Sequence, residues 1–445
     1  MQNTKGIYSK RCWIEGRLQE ATILYDASTI TDIVPGPKFS DNLNTKNYNE
    51  KVIIPGAIDA HVHINEPGRT HWEGFQTATT AAVAGGITTL VDMPLNSSPV
   101  TTNAKAFDEK ISAGNNKLLV NCGLYGGLVP DNISELQALI DCGVLGIKCF
   151  LTHSGIDDFP NVQKKDIEAA MSILTKNNIP LLAHCELIDT PNEIMRNPKS
   201  YQQYLNSRPK KWENDAVDLM IEMCAKYGVR THIVHVSSAE ALQSISDAKL
   251  KGLPLTAETC PHYLYFNSQE IPYGNTLYKC APPIRERANN NLLKKALKNG
   301  ILDFLTSDHS PAPPELKEID SGNLQKAWGG ISGLQYLLSA SWTALKDEIT
   351  LEKFIPLLTE NPSKFLGIDD RKGFLKKGMD ADFTIWSPQD SFIVSKEDNY
   401  HRHKVNPYLD KRLYGMINAT YVDGVEVFDQ KIINFKKFGQ WILKK

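Results

Sequence analysis

His61 and His63 stand two residues apart in the run DAHVHI, so on a β-strand both side chains leave the same face. His184 closes the apolar run PLLAH, His235 sits near the end of THIVHVSS, and Asp308 ends LDFLTSD with His309 next to it. Lys148 lies inside the apolar run GIKCFL. Singly, a strand histidine is ordinarily a packed or surface residue, and a strand-end aspartate is ordinarily a helix cap. A lysine is different, because it is seldom buried without a partner. Together, four imidazoles, one carboxylate and one lysine fall at or near the C-terminal ends of strand-like runs. Neutral imidazole and carboxylate are good ligands for Zn²⁺ and similar divalent ions. Five such donors exceed what one catalytic zinc takes; two ions roughly 3.5–4 Å apart would use them all, provided a group bridges the pair. An ammonium cannot ligate. A lysine whose pKa is lowered by burial can add CO₂, and the resulting carbamate offers two anionic oxygens for that bridge.

These residues need a scaffold that brings distant strand ends to one mouth. From Val52 the chain alternates apolar strand, turn and helix. Strand cores are read in IIPGAIDAHVHI, TTLVDM, LLVNCGLY, GIKCFL, PLLAHCE, THIVHVSS, PLTAETC and LDFLTSD. Helical segments between them include FQTATTAAVAGG, KDIEAAMSILTKNN and NDAVDLMIEMCAKYG, several ending in Gly or Asn as helix C-caps do. Eight short strands alternating with helices predict an α/β fold, a closed (β/α)₈ barrel whose functional residues gather at the C-terminal strand ends. Two further helices are expected, in ISGLQYLLSASWTAL and LEKFIPLLTENPSKFLG. The first ~50 residues and the stretch after Gly373 read as short β-strands. The expected division is a small β-sandwich-like domain from 1–54 and 373–445 and a barrel over 55–372.

Composition narrows the function classes. With 445 residues, 41% of them hydrophobic and 22% charged, disorder is excluded and a large core is available. A formal net charge of −2 leaves no basic surplus for a nucleic-acid backbone or an anionic membrane, so neither is expected as a partner. No apolar run reaches the ~18 residues of a membrane span, and the first residues lack the apolar segment of a secretory signal. A cytoplasmic protein acting on a small molecule is the expectation. The eight cysteines hold no Cys-x-x-Cys pair, and Cys149, Cys185 and Cys260, in strand-like apolar runs, read as buried, reduced thiols.

The motifs GAIDAHVHINEPGR, AAVAGGITTLVDMP, GIKCFL, LLAHCE, IVHVSSAE, ETCPHYL, APPIR, SDHSP and DADFTIW resemble the cyclic amidohydrolases of the amidohydrolase superfamily, from Pro55 to Trp386 and in the family's order. That group includes dihydroorotases, hydantoinases and allantoinases. Dihydroorotases carry HxHxREPG, whose Arg holds a substrate carboxylate; here Asn65 stands in its place. An amide cannot replace that charge but can give and accept hydrogen bonds with a neutral ureide. With DMPLNSSPVTT, KCFLTHSGIDDFP and WGGISGLQ, this makes the chain most similar to the allantoinase branch. The resemblance implies hydrolysis of the hydantoin ring of (S)-allantoin to allantoate, in purine and ureide catabolism. It implies His61, His63 and Asp308 on one divalent ion, His184 and His235 on the other, and a carbamate on Lys148 bridging them. Zinc is the expected metal, with cobalt, manganese or nickel as alternatives. Asp308 would move the proton. Asn65, Asn96, His153 and the Cys280 backbone are the substrate contacts it implies, and a homotetramer the assembly. The rival readings are a hydantoinase, dihydropyrimidinase or dihydroorotase, and a non-catalytic amidohydrolase-like binding protein. The last is disfavoured because all six ligand positions are filled.

Overall fold

The computed structural model describes residues 4–40, 43–189, 194–436 and 439–444. Eight strands form the barrel: β1 (Ala57–Val62), β2 (Ile87–Asp92), β3 (Asn121–Leu124), β4 (Ile147–Phe150), β5 (Leu181–His184), β6 (Thr231–Ile233), β7 (Leu255–Thr259) and β8 (Phe304–Leu305). Neighbours pair in parallel from β1 to β3 and from β4 to β8. The chain running on from β3 supplies a two-residue strand, Gly126–Gly127, that pairs in parallel with β4. Closure falls between β8 and β1. Val62 bridges His309 in parallel, and the His63 N–H donates to the His309 carbonyl at 2.7 Å. The buried Asp59 carboxylate reinforces it by accepting the Ser307 N–H at 3.1 Å and the His61 N–H at 3.2 Å. Nearly every barrel-strand residue is buried, as expected where helices cover one side and packed side chains fill the other.

The helices follow local chemistry. Asn103 caps Ala104–Gly114 by accepting the Ala106 N–H, Gln163 and Asp166 form a capping box on Lys164–Lys176, and Gly228 ends Lys210–Tyr227 with a positive φ of 66°. The expected helix over LEKFIPLLTENPSKFLG is instead three pieces: Leu351–Phe354, a 3₁₀ turn Ile355–Leu358, and Glu360–Leu366. Pro356 and Pro362 are the reason, since each lacks an N–H and is tolerated only in a first turn.

Both chain ends build one nine-stranded sheet, as expected. Val52–Pro55 lies at its centre, paired in parallel with Arg11–Cys12 and antiparallel with Phe383–Trp386, and leads through Gly56 into β1. The C-terminal segment then leaves this sheet. Trp441 and Ile442 pair in parallel with Cys122 and Gly123 of β3, filling the gap below the Gly126–Gly127 strand. All eight cysteines are free, and all but Cys142 are buried. Among the described residues no helix is long and apolar enough to cross a membrane.

Candidate active site

The six residues singled out for chemistry come together at the C-terminal mouth of the barrel. His61 lies in β1 and His63 one residue past its end, Lys148 is in β4, and His184 ends β5. His235 and Asp308 lie just beyond β6 and β8. Both have backbones in the left-handed region, with φ of 39° and 43°. Such conformations cost on the order of 1–3 kcal/mol each and persist where the surroundings enforce them.

His61, His63 and Asp308 form one group whose donor atoms lie within 4.8 Å of one another and could hold a metal ion. Asp308 Oδ1 is 3.3 Å from His61 Nε2 and 3.5 Å from His63 Nε2. A second group faces it: His184 Nδ1 and His235 Nε2 point at each other 3.0 Å apart, and the His61 and His235 rings are 5.4 Å apart. Lys148 is fully buried beneath them. Among the described residues its Nζ has no hydrogen-bond partner, only the face of Phe150 at 4.9 Å from the ring centre.

Burial sets the protonation states. It lowers the pKa of His63 and His184 against the pull of Asp308 and Glu186. It lowers His235 further, helped by the positive charge of its neighbours, including Lys148. Imidazoles held neutral keep a lone pair for a ligand. Burial also brings Lys148 down to about 8. Asp308 is pushed up by burial, but His61 and His63 outweigh that and hold it below the usual aspartate range.

Three side chains orient these donors, and Glu258 and Glu186 were not singled out in the sequence. Glu258, in β7, accepts from His61 Nδ1 at 2.5 Å and from His232 Nε2 at 3.1 Å, and its carboxylate also meets the His235 N–H at 3.3 Å. Glu186 meets His184 Nε2 at 2.8 Å and pairs with Arg208, whose Nε donates at 2.9 Å. Glu186 had a local signal, since it lies two residues after His184; Glu258 had only its place near the end of a recognised strand. Asn96 reaches His63 Nδ1 at 3.3 Å.

Above the donors lies a cavity of about 200 Å³ lined by His61, His63, His184, His235, Asp308, Asn96, His153, Tyr204, Arg208, Lys279, Ser310, Trp328 and neighbouring backbone. It is smaller than the ~300–1,000 Å³ of drug-sized pockets and suits a single small ring with a short arm. Gly330 shapes one wall: a Cβ there would lie 2.2 Å from the Ser310 carbonyl. Of the expected substrate contacts, Asn96 and His153 reach this cavity. His153 stands at the rim, more than half exposed, with Nε2 3.3 Å from Asp157. Asn65 and Cys280 are buried outside the lining. Asn65 donates from Nδ2 to the Pro311 carbonyl at 3.3 Å, and the Cys280 carbonyl accepts the Tyr204 hydroxyl at 2.7 Å. Nor is the site without cations, as the Asn65 substitution taken alone implied. Arg69 turns away towards Asp158, but Arg208 and Lys279 line the wall. Their positions depend on how the loops over the barrel fold, which no motif declares.

A closed barrel with this donor set at its mouth defines a metal-dependent hydrolase class, and the comparisons agree. The amidohydrolase family model matches residues 52–427, and the chain belongs to that metal-dependent family. It is 42% identical to a protein named probable allantoinase 2 from Dictyostelium discoideum, over 91% of this chain and 84% of that one. It is 44% identical to the allantoinase of Arabidopsis thaliana, over 86% and 79% of the two chains. The solved L-hydantoinase (dihydropyrimidinase) from Arthrobacter aurescens superposes with a TM-score of 0.93 at 27% identity, over 100% of both chains.

Proposed function

We propose that the protein is an allantoinase, hydrolysing the hydantoin ring of allantoin to allantoate in purine and ureide catabolism. The observation that carries this is the 42–44% identity to allantoinases over most of both chains, joined to a cavity lined by His61, His63, His184, His235 and Asp308, with Lys148 fully buried near His184 and His235. In this reading residues 55–372 are the catalytic barrel, with 1–54 and 373–445 as the β-domain, apart from the Trp441–Ile442 strand that returns to β3 of the barrel.

The residues fit two divalent ions, with zinc proposed. His61, His63 and Asp308 would hold one and His184 and His235 the other. The ring-nitrogen and carboxylate pairs facing each other at 3.0–3.5 Å suit donors to a common tetrahedral ion at about 2.0–2.1 Å each. The unpartnered Lys148 Nζ fits a carbamate that would bridge them. Asn96 supports the assignment at His63: its Oδ1 is buried without a partner, and turning its amide over would let Oδ1 accept from His63 Nδ1–H, leaving Nε2 with its lone pair. Bound there, the ions would supply Lewis-acid polarisation of the ring carbonyl and a lowered pKa for water.

The chain's own residues do the rest. Asp308, held ionised, takes the proton of the attacking water on its carboxylate and returns it to the leaving ring nitrogen. Glu258 and Glu186 fix the tautomers of His61 and His184, so each presents its other nitrogen to the mouth. Glu258→Gln is expected to weaken zinc binding about 10–100-fold, as losses of such orienting groups do. Competition against a chelating dye measures this, and unchanged zinc affinity would remove Glu258 from that role.

Substrate choice is the direct test of the reading. Purified protein is assayed on allantoin, hydantoin, dihydropyrimidines and dihydroorotate, before and after chelation. The expectation is a kcat/KM on allantoin at least about tenfold above every other substrate, abolished by chelation. A faster rate on dihydroorotate or hydantoin would replace the assignment by that of a sister activity. The reading extends to a homotetramer, by family resemblance, and to a cytoplasmic location, by the composition of the chain; light scattering on a sizing column tests the assembly.

A further inference from the structure

We infer that Lys279, with Arg208 beside it, forms a subsite that takes the acceptor oxygen of the substituent on the substrate's ring, which in allantoin is the ureido carbonyl. This rests on the reading of the cavity as an allantoin site and adds what holds the arm.

Lys279 stands between Tyr278 and Cys280, which are both buried outside the lining, while Lys279 itself faces the cavity. Its ammonium donates to the carbonyls of Ala327 at 2.5 Å and Gln325 at 3.3 Å and lies 5.4 Å from the centre of the Tyr204 ring. These partners are neutral or only partly negative. Among the described residues no carboxylate lies within ion-pair distance of Lys279, in contrast to Arg208, which Glu186 neutralises through Nε and Nη2. Burial and the charge of Arg208 together pull Lys279 down to about 8, so its ammonium stands there at a desolvation cost that the two carbonyls offset only in part. Lys279 and Arg208 both line the cavity, and among the described residues the third ammonium proton of Lys279 and the Nη1 group of Arg208 have no acceptor.

Both groups only donate. Their ligand must therefore present an acceptor, a carbonyl or a carboxylate oxygen. The catalytic imidazoles and Asp308 line the same small cavity, so a ring amide placed against them leaves its substituent to the Lys279 wall. An arm oxygen completes the donors; a bare ring carbon leaves them unpaired, which is how polar sites reject a substrate lacking the matching group. The competing role for Lys279 is purely structural, tying the 325–327 backbone to its own loop. That role treats all substrates alike.

The test compares Lys279→Met and Lys279→Arg with wild type, each zinc-loaded, on allantoin and on hydantoin, which has no arm. In Lys279→Met the ratio of kcat/KM for allantoin to that for hydantoin is expected to fall about 10–100-fold, the range for a hydrogen bond to a charged group, mostly through KM. Lys279→Arg should recover most of it. An unchanged ratio, or equal losses on both substrates, overturns the subsite. If wild type does not turn over allantoin at all, the functional reading falls separately. Allantoin is then tested as a competitive inhibitor of hydantoin hydrolysis, where an inhibition constant unaltered by Lys279→Met overturns the subsite in its own right.

Discussion

A Lys148→Ala protein purified with zinc is expected to lose at least about a thousandfold in kcat/KM on allantoin, since bridging support of this kind is worth several kcal/mol. Its zinc content should fall well below that of wild type. The reasoning starts from charge. The donor set would offer four imidazoles and one carboxylate, Asp308, to two doubly charged ions in a buried site. Lys148 as an ammonium would add a further positive charge with no partner for Nζ, which is the costliest arrangement available to it. As a neutral amine it is the nucleophile that CO₂ requires. Burial brings its pKa to about 8, so at a pH near 8 about half the side chain is already neutral. The carbamate reverses the sign of the charge at the same place. Ala removes both the anion and the stem that carries it, leaving a hole that a short carboxylic acid can enter. Adding such acids to the variant should restore part of the zinc and part of the rate. Carbon NMR on wild type equilibrated with labelled CO₂ should show a carbamate signal that Lys148→Ala lacks. Full activity in Lys148→Ala without additives would defeat the proposal.

The legible part of this site was its layer of proposed ligands. His61, His63, Lys148, His184, His235 and Asp308 sit at or near the ends of apolar runs whose period and length betray parallel strands, and a barrel leaves such ends one destination. The sheet shared by the two chain ends was legible as well, because both are strand-rich and flank the barrel pattern. The layer behind was not. His61 finds Glu258 across 197 residues of chain, and that contact exists only because β1 and β7 face the same barrel interior. A carboxylate in PLTAETC has no local feature that names its partner. The cavity wall failed for a different reason. The resemblance implied substrate contacts at Cys280 and Asn65, but loop backbones decide which neighbour turns inward. Here Lys279 faces the cavity while Cys280 packs away from it. Asn65 has a positive φ of 66° and spends its amide on Pro311. The return of Trp441 and Ile442 to β3 was also hidden, since a two-residue strand carries no periodicity.

Asp308→Asn is expected to keep the fold and part of the metal yet lose about 10²–10⁴-fold in kcat, the typical worth of positioned acid–base transfer. The fold should survive because what fixes this segment is backbone. The His309 carbonyl accepts the His63 N–H, Ser307 N–H is held by Asp59, and the His309 N–H donates to Ser307 Oγ at 3.0 Å. His309 is held from behind by Glu73 at 3.2 Å. None of these contacts uses the Asp308 carboxylate. Asn matches its volume, tolerates the left-handed backbone that φ of 43° demands, and can still offer a carbonyl oxygen 3.3–3.5 Å from His61 and His63. What it cannot do is accept a proton from water and hand it on. In wild type, burial favours the neutral acid, but the nearby imidazoles outweigh it and keep Asp308 ionised at neutral pH, the form a base needs. Returning that proton to the ring nitrogen then restores the carboxylate for the next turnover. The measurement is kcat on allantoin beside zinc per chain and thermal stability for the same preparation. A rate within about threefold of wild type at full zinc content, far short of the loss expected for a missing base, would show that the proton travels by another group. His153 at the rim would be the next candidate, because it is the cavity imidazole that no metal role claims.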